Sequence, residues 1–172
     1  MEALPQLAWS EWKPWSQREE IENCDWEGVY RIAVGDPRSL YLKNGWNRVR
    51  YIGMSLRTED PERPERPTGL RKRWLELDRA MKGRGGHSGG NRIFDAYKML
   101  SGDRFTRKPG GRNTVFVSAM PFSPRRQVPI DEPQSYSQQM REHGMVLYLE
   151  YAAFAEYCLN VPNNPRPKFN RR

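Results

Sequence analysis

The chain has 172 residues, 37% of them hydrophobic, a formal charge of +8 and a mean hydropathy of -0.93, which suits a single polar domain with one modest core. Its most apolar stretch, Met145–Phe154, is broken by Glu150 and falls far short of the roughly 20 residues that a bilayer span requires. The N-terminus lacks the basic start and apolar run of a secretory signal, so a cytoplasmic protein with no membrane role is expected. Cys24 and Cys158 lie far apart, and His87 and His143 are the only histidines, which argues against a zinc cluster, a disulfide framework or a mechanism built on several histidines.

Residues 1–27 hold Trp9, Trp12, Trp15 and Trp26 among polar neighbours and read as an arm that docks its indoles, with Pro14 opposing a long helix. Gly28–Val34 alternates in a β-branched and aromatic run and predicts a strand. Residues 35–47 predict a loop and Val49–Gly53 a second strand, antiparallel to the first. Residues 56–68, with three prolines and many charges, predict an exposed loop. Thr68 or Gly69 starts a helix in which Leu70, Trp74, Leu77 and Met81 share one face, with Arg71, Lys72, Arg73 and Arg79 around it. Gly83–Gly90 reads as flexible, Asn91 as the cap of a helix through about Leu100, and Thr114–Ala119 as a third strand. Residues 121–134 predict a loop, and Ser135 or Ser137 begins a long helix through about Leu159, weakened at Gly144. The expectation is an α/β (α+β) domain over residues 28–172: a small three-stranded antiparallel sheet flanked by helices.

Charge is concentrated in the middle. Residues 1–60 carry 8 basic and 10 acidic groups, residues 61–120 carry 14 and 6, and residues 121–172 carry 7 and 5. A focused positive segment favours polyanions, nucleic acid before anionic membranes. Arg71, Lys72, Arg84, Arg92, Arg107 and Lys108 are the candidate contacts.

Gly28-Val29-Tyr30 and Tyr51-Ile52-Gly53 fall on neighbouring strands, and Gly69–Trp74 opens the helix that follows. This ordered set resembles the GIY-YIG nuclease family. In that family the helix carries an Arg, matched best by Arg73, with Arg71 as a rival. A later helix supplies a Glu metal ligand, matched by Glu150, with Glu156 as a rival. The closing P-x-aromatic-Asn is matched by Pro167-Lys168-Phe169-Asn170, with Asn163 and Asn164 as rivals. The resemblance implies a GIY-YIG-like fold and an endonuclease dependent on Mg²⁺ (or Mn²⁺).

Elementary chemistry gives these residues compatible roles. Phosphodiester hydrolysis needs an activated water, neutralisation of the phosphate and a stabilised leaving oxygen. Glu150, alone in an apolar run, is the carboxylate for a divalent ion that takes most of its ligands from water and phosphate. Arg73 can grip a phosphate oxygen with a forked pair of hydrogen bonds. Tyr30 is the candidate base or water-orienting group, which requires a phenol pKa below its usual ~10, and Tyr51 assists it. Gly28 and Gly53 would let the substrate backbone approach the strands. His87 follows a Gly-rich loop, and the resemblance to some family members implies a proton-relay or phosphate role for it.

Departures from the family pattern are specific. Leu77 stands one turn after Arg73, where the family often has His or Tyr, so any relay must use another group such as His87. The intervals between motifs are long, implying insertions at 35–47 and 56–68 that contact DNA. The chain has little room for added modules, so a restriction-type, mobile-element or phage nuclease acting on DNA rather than RNA is expected, with a homodimer if both strands are cut. The alternative is a non-catalytic basic nucleic-acid-binding module on the same scaffold, with salt-sensitive affinity and no cleavage.

Overall fold

Alternation in the segment Glu27–Gly35 sends Tyr30, Ile32 and Val34 to one face and Val29, Arg31 and Ala33 to the other. All nine residues but Arg31 are buried, the signature of a central strand covered on both sides. A computed structural model of the chain describes residues 6–35, 40, 45–56, 66–97, 99–101, 104–105, 114–123, 133–164 and 166–170. The strands are β1 (Lys13–Pro14), β2 (Glu27–Gly35), β3 (Val49–Ser55), β4 (Met99–Ser101), β5 (Arg104–Phe105) and β6 (Thr114–Ser123). The helices are α1 (Gly69–Met81), α2 (Ser88–Tyr97) and α3 (Pro133–Asn160).

The sheet runs β3-β2-β6-β5-β4, with β1 also on β6, and its pairings are antiparallel. On one face Tyr30, Ile32 and Val34 pack with Leu70, Trp74, Leu77 and Ile93 of α1 and α2. On the other, Val29, Ala33 and Ile52 pack with Val146, Leu149, Ala153 and Tyr157 of α3. The result is three layers, helix on sheet on helix, of the α+β class. Among the described residues no helix is long and apolar enough to cross a membrane.

Several sequence boundaries change. Among the described residues the sheet has six strands rather than the expected three, because strands of two and three residues are too short to show a period. The helix expected to reach Leu100 ends at Tyr97 and gives way to β4, which pairs with β5. β6 runs on to Ser123 through Pro121, which sits opposite Gly28 where a register shift between Glu27 and Gly28 relaxes the ladder. The loops expected at 35–47, 56–68 and 121–134 lie largely outside the described residues; Leu40 is buried and Gly45–Arg48 forms a 3-10 turn.

The tryptophan-rich arm is woven into the sheet. The Ser10 amide donates to the Ala119 carbonyl (2.8 Å) and Ser118 Oγ returns a bond to the Ser10 carbonyl (2.8 Å). Trp15, 1% exposed, joins the core, and its Nε1 donates to Asp78 Oδ1 on α1 (2.9 Å). Burial alone would raise the Asp78 carboxyl, but bonds from Lys82 and Trp15 hold it below the usual carboxylate range.

The same arm caps α1. The Leu70 and Arg71 amides donate to the Trp26 and Cys24 carbonyls (2.9 and 2.7 Å), satisfying donors that a helix start leaves open. Gly69 makes this possible: its φ is +56°, and a Cβ there would lie 2.2 Å from the Trp26 oxygen. Gly69→Ala is therefore expected to cost about 2–3 kcal/mol in urea unfolding; a loss under about 0.5 kcal/mol would show that the junction can open without penalty.

Candidate active site

Register brings the two motif tyrosines together. Tyr30 pairs with Gly53 and Ile32 with Tyr51, so the rings are diagonal neighbours on one face of the sheet, 6.0 Å apart between centroids. Gly53 leaves them the space: a Cβ there would stand 2.7 Å from the Tyr51 ring and 2.9 Å from Tyr30 Oη. A Cβ on Gly28 would stand 2.3 Å from the Met120 carbonyl oxygen. Both glycines thus answer to packing within the protein, a reason independent of the expected approach of substrate backbone.

His87 closes this cluster from the start of α2. It is the N-cap, a role expected of Asn91: the His87 carbonyl accepts the Asn91 amide (2.9 Å), and Nδ1 accepts the Gly90 amide (3.2 Å). The helix begins at Ser88 because Gly89 and Gly90 can sit hard against their neighbours, where a Cβ would lie 2.4 Å from the Tyr51 ring and 2.5 Å from Ala80 Cβ. The Gly83–Gly90 segment is therefore half loop and half helix start.

The cap fixes the chemistry of the imidazole. Burial first, then Arg73, lowers its pKa to about 4, so the ring is neutral at pH 7. With Nδ1 occupied as an acceptor, the proton resides on Nε2, which stands 3.5 Å from Tyr30 Oη and donates to it. Tyr30 and Tyr51 also interact with each other, so that His87, Tyr30 and Tyr51 form one connected cluster.

Neither phenol is acidified by the protein alone. Burial, then the charge of Tyr51, lifts Tyr30 well above its ordinary value, with Arg73 opposing. Burial also raises Tyr51, less completely, again with Arg73 opposing. The expected lowering of the Tyr30 pKa by the nearby cation and a metal ion together is not supplied by the cation, since a fully buried phenolate loses more solvation than one half-exposed guanidinium returns. Tyr51, partly exposed, is the easier of the two to ionise.

Arg73 projects from α1 to the rim of this cluster. Its Nε donates to the Met54 carbonyl (3.4 Å) and its Nη1 to Glu76 Oε2 (2.8 Å), and its side chain is 41% exposed. Ser55 Oγ donates to the Gly69 carbonyl (2.6 Å), locking the end of β3 to the start of the same helix. Glu150 enters from α3; burial raises its carboxyl pKa and Arg73 pulls it down. Arg73 acts electrostatically on Tyr30, Tyr51, His87 and Glu150 alike.

Asn170 belongs to the scaffold of the site. Its Nδ2 donates to the Ile52 carbonyl (2.7 Å) and its Oδ1 accepts the Ile52 amide (2.8 Å). It completes a ladder rung on the free side of edge strand β3, between Tyr51 and Gly53. Arg92 Nη1 donates to the Phe169 carbonyl (3.0 Å), holding that turn in place. Asn170→Ala is expected to cost about 1–3 kcal/mol of stability and to reduce the protection of the Ile52 amide from hydrogen exchange; unchanged protection would rule out the clamp.

The rival residues face elsewhere. Arg71 Nη2 donates to Cys24 Sγ (3.3 Å) and its Nε is 3.3 Å from Asp25. Glu156 Oε2 accepts from Trp9 Nε1 (3.2 Å). Asn163 takes a left-handed turn conformation (φ 69°), and the Asn164 amide donates to the Val161 carbonyl (3.2 Å). Of the basic candidates, Lys72 and Arg84 are exposed and Arg92 is half-buried beside Tyr51; Arg107 and Lys108 lie outside the described residues.

Three arrangements escaped sequence reasoning. Arg31 lies over Trp9, Trp12 and Trp46 at 4.4–4.6 Å from their centroids; burial lowers its pKa to about 10 while Glu156 opposes. A charge inside an otherwise apolar strand of a tryptophan-rich chain was the available signal. His143 Nε2 stands 3.1 Å from the buried Glu27 Oε1, a pairing that spans the chain and has no local signature. Glu76, three residues after Arg73, was legible as a helical ion pair.

Among the described residues no group of three or more His, Cys, Asp or Glu side chains could hold a metal ion. A partly buried carboxylate at Glu150, coupled to two phenols and one guanidinium, does fit Mg²⁺ or Mn²⁺, which accept one protein carboxylate with water and phosphate oxygens filling the shell. No protein-family model matches the chain, and neither the curated proteins nor the solved structures yield a match.

Proposed function

We propose that the protein is a metal-dependent endonuclease of GIY-YIG type that hydrolyses phosphodiester bonds in DNA. The observation that carries this reading is the convergence of Tyr30, Tyr51, His87 and Glu150 from four separate segments within the field of one half-exposed arginine. Perturbed ionisable groups cluster at functional sites, and this one gathers a desolvated carboxylate, a neutral imidazole and two neighbouring phenols around one guanidinium.

Arg73 binds a non-bridging phosphate oxygen and stabilises charge as it grows there. Tyr51, protonated and partly exposed, orients the attacking water through its hydroxyl, with Tyr30 packed behind it. His87 holds Tyr30 in place through Nε2–H. Glu150 would hold the Mg²⁺ or Mn²⁺ ion, which supplies Lewis-acid stabilisation of the leaving oxygen. Exposed Lys72 and Arg84 add screened attraction to the DNA backbone.

A second reading, a binding module without catalysis, draws support from the phenols, both of which burial holds protonated. Supercoiled plasmid incubated with the full chain in Mg²⁺, in Mn²⁺ and in EDTA separates the two. Cleavage with either ion and none in EDTA is the expected result. Salt-sensitive retention of plasmid with no cleavage under any condition would favour the binding module.

A further inference from the structure

The 28-residue helix α3 has two opposed faces. Val146, Leu149, Ala153 and Tyr157 turn inward and are buried against the sheet. On the other side Tyr136, Met140, Leu147, Tyr148, Tyr151 and Leu159 are exposed, between 38% and 83%. They recur at helical spacing along about 35 Å of helix, and the positions through the middle of the stripe, 140, 144, 147, 148, 151 and 155, hold no charge. Single exposed apolar residues are ordinary, but a continuous stripe of this length marks an interaction surface.

The geometry points to a second copy of this chain as its occupant, the two α3 helices packing antiparallel about a two-fold axis between Leu147 and Tyr148. The stripe is complementary to itself in that arrangement. Antiparallel pairing sets Tyr151 against Gly144, where a Cβ would meet nothing within 4 Å. It sets Met140 against Ala155, Tyr136 against Leu159, and Leu147 against Tyr148, so that large side chains face small ones through the flanks of the axis. Parallel pairing would set Tyr151 on Tyr151 and Gly144 on Gly144, colliding at one level and leaving a void at the next.

A two-fold axis requires such self-matching of a single patch. The exposed parts of the six large side chains come to roughly 600 Å² per copy, or about 1,200 Å² for the pair, which reaches the lower bound of specific, stable interfaces. Gly144 and Ala155 allow the helix axes to approach to about 8 Å. Gly144, which reads in the sequence as a weak point of the helix, gains a reason as the socket for the partner's tyrosine. The pairing does not depend on the nuclease reading, because it draws on none of the residues of the candidate site.

Light scattering on the full chain at tens of micromolar should give the mass of a dimer. Tyr151→Glu should weaken dimerisation at least tenfold with an unchanged circular dichroism spectrum. A cross-link tests the direction: antiparallel pairing places Ser137 of one copy beside Cys158 of the other, and both residues are exposed. Ser137→Cys should form an inter-chain disulfide under a mild oxidant, whereas the unaltered chain, whose two Cys158 thiols would be some 30 Å apart along the helices, should not. A monomeric chain would overturn the proposal, whether a segment of the same chain or another protein covers the stripe. A dimer that survives Tyr151→Glu, or one that cross-links through Cys158 alone, would overturn it as well.

Discussion

Glu150→Gln is expected to lower Mg²⁺-dependent cleavage by roughly three orders of magnitude, since a carboxylate that holds a divalent ion contributes several kcal/mol to the transition state. The exchange keeps shape and volume and removes only charge, so unfolding midpoint and DNA affinity should stay close to the unaltered chain. A second readout follows from the coupling of the cluster. Glu150 raises the pKa of both Tyr30 and Tyr51, so its neutralisation should move tyrosine ionisation, followed by ultraviolet difference spectra, toward lower pH. Cleavage within about tenfold of the unaltered chain would remove Glu150 from the reaction, and an unmoved tyrosine titration would separate it from the phenols.

The second large effect concerns stability and pH. His87 has a pKa of about 4 in the folded chain against 6.5 when unperturbed, so below pH 6.5 the unfolded chain takes up a proton that the folded chain refuses. Stability is therefore fully present above about pH 6.5 and is lost as pH falls toward about 4, by about 3 kcal/mol in total. The groups acting on the ring are burial, Arg73 and, in the opposite sense, Glu76; the Gly90 amide and Tyr30 hydroxyl fix its tautomer. Glu150, whose pKa is raised, gains stability as pH falls through its folded value and partly offsets the loss. His87→Asn isolates the imidazole, because Asn caps a helix equally well and does not titrate. Urea unfolding of the Asn variant should be nearly flat between about pH 6.5 and 4.5, apart from the carboxylates it shares with the unaltered chain. Parallel curves for the two proteins would show that the imidazole is not held neutral.

The strands that carry Tyr30 and Tyr51 could be read because their alternation is local and uninterrupted, and α1 because its four apolar residues keep helical spacing. The segments of one or two pairings, β1, β4 and β5, could not, since their existence depends on β6 and on each other. Position in the site was legible to the extent that a motif fixed it. Arg73 and Glu150 could be named from their sequence context, but the choice of Arg73 over Arg71 depends on Cys24 and Asp25, and that of Glu150 over Glu156 on Trp9. The His87 cap was obscured by glycines, which in sequence suggest a loop and in the fold allow α2 to press against Tyr51. Protonation was the least accessible property. Tyr30 beside an arginine suggests an acidified phenol, and only its complete burial reverses the sign.

The bond from Asn170 to Ile52 joins residues 118 positions apart, and this separation sets an order of events in folding. The neighbouring strands β2 and β3 are separated by a short stretch of chain and can meet early, whereas the closing turn must search a much larger volume before its contacts compensate for the entropy lost. On sequence separation the rung beside Tyr51 is expected to form late. A chain that has already built its sheet would still lack a fixed edge at the strand that carries both Tyr51 and Gly53, so order at the candidate site is expected as a separate and later step than compactness.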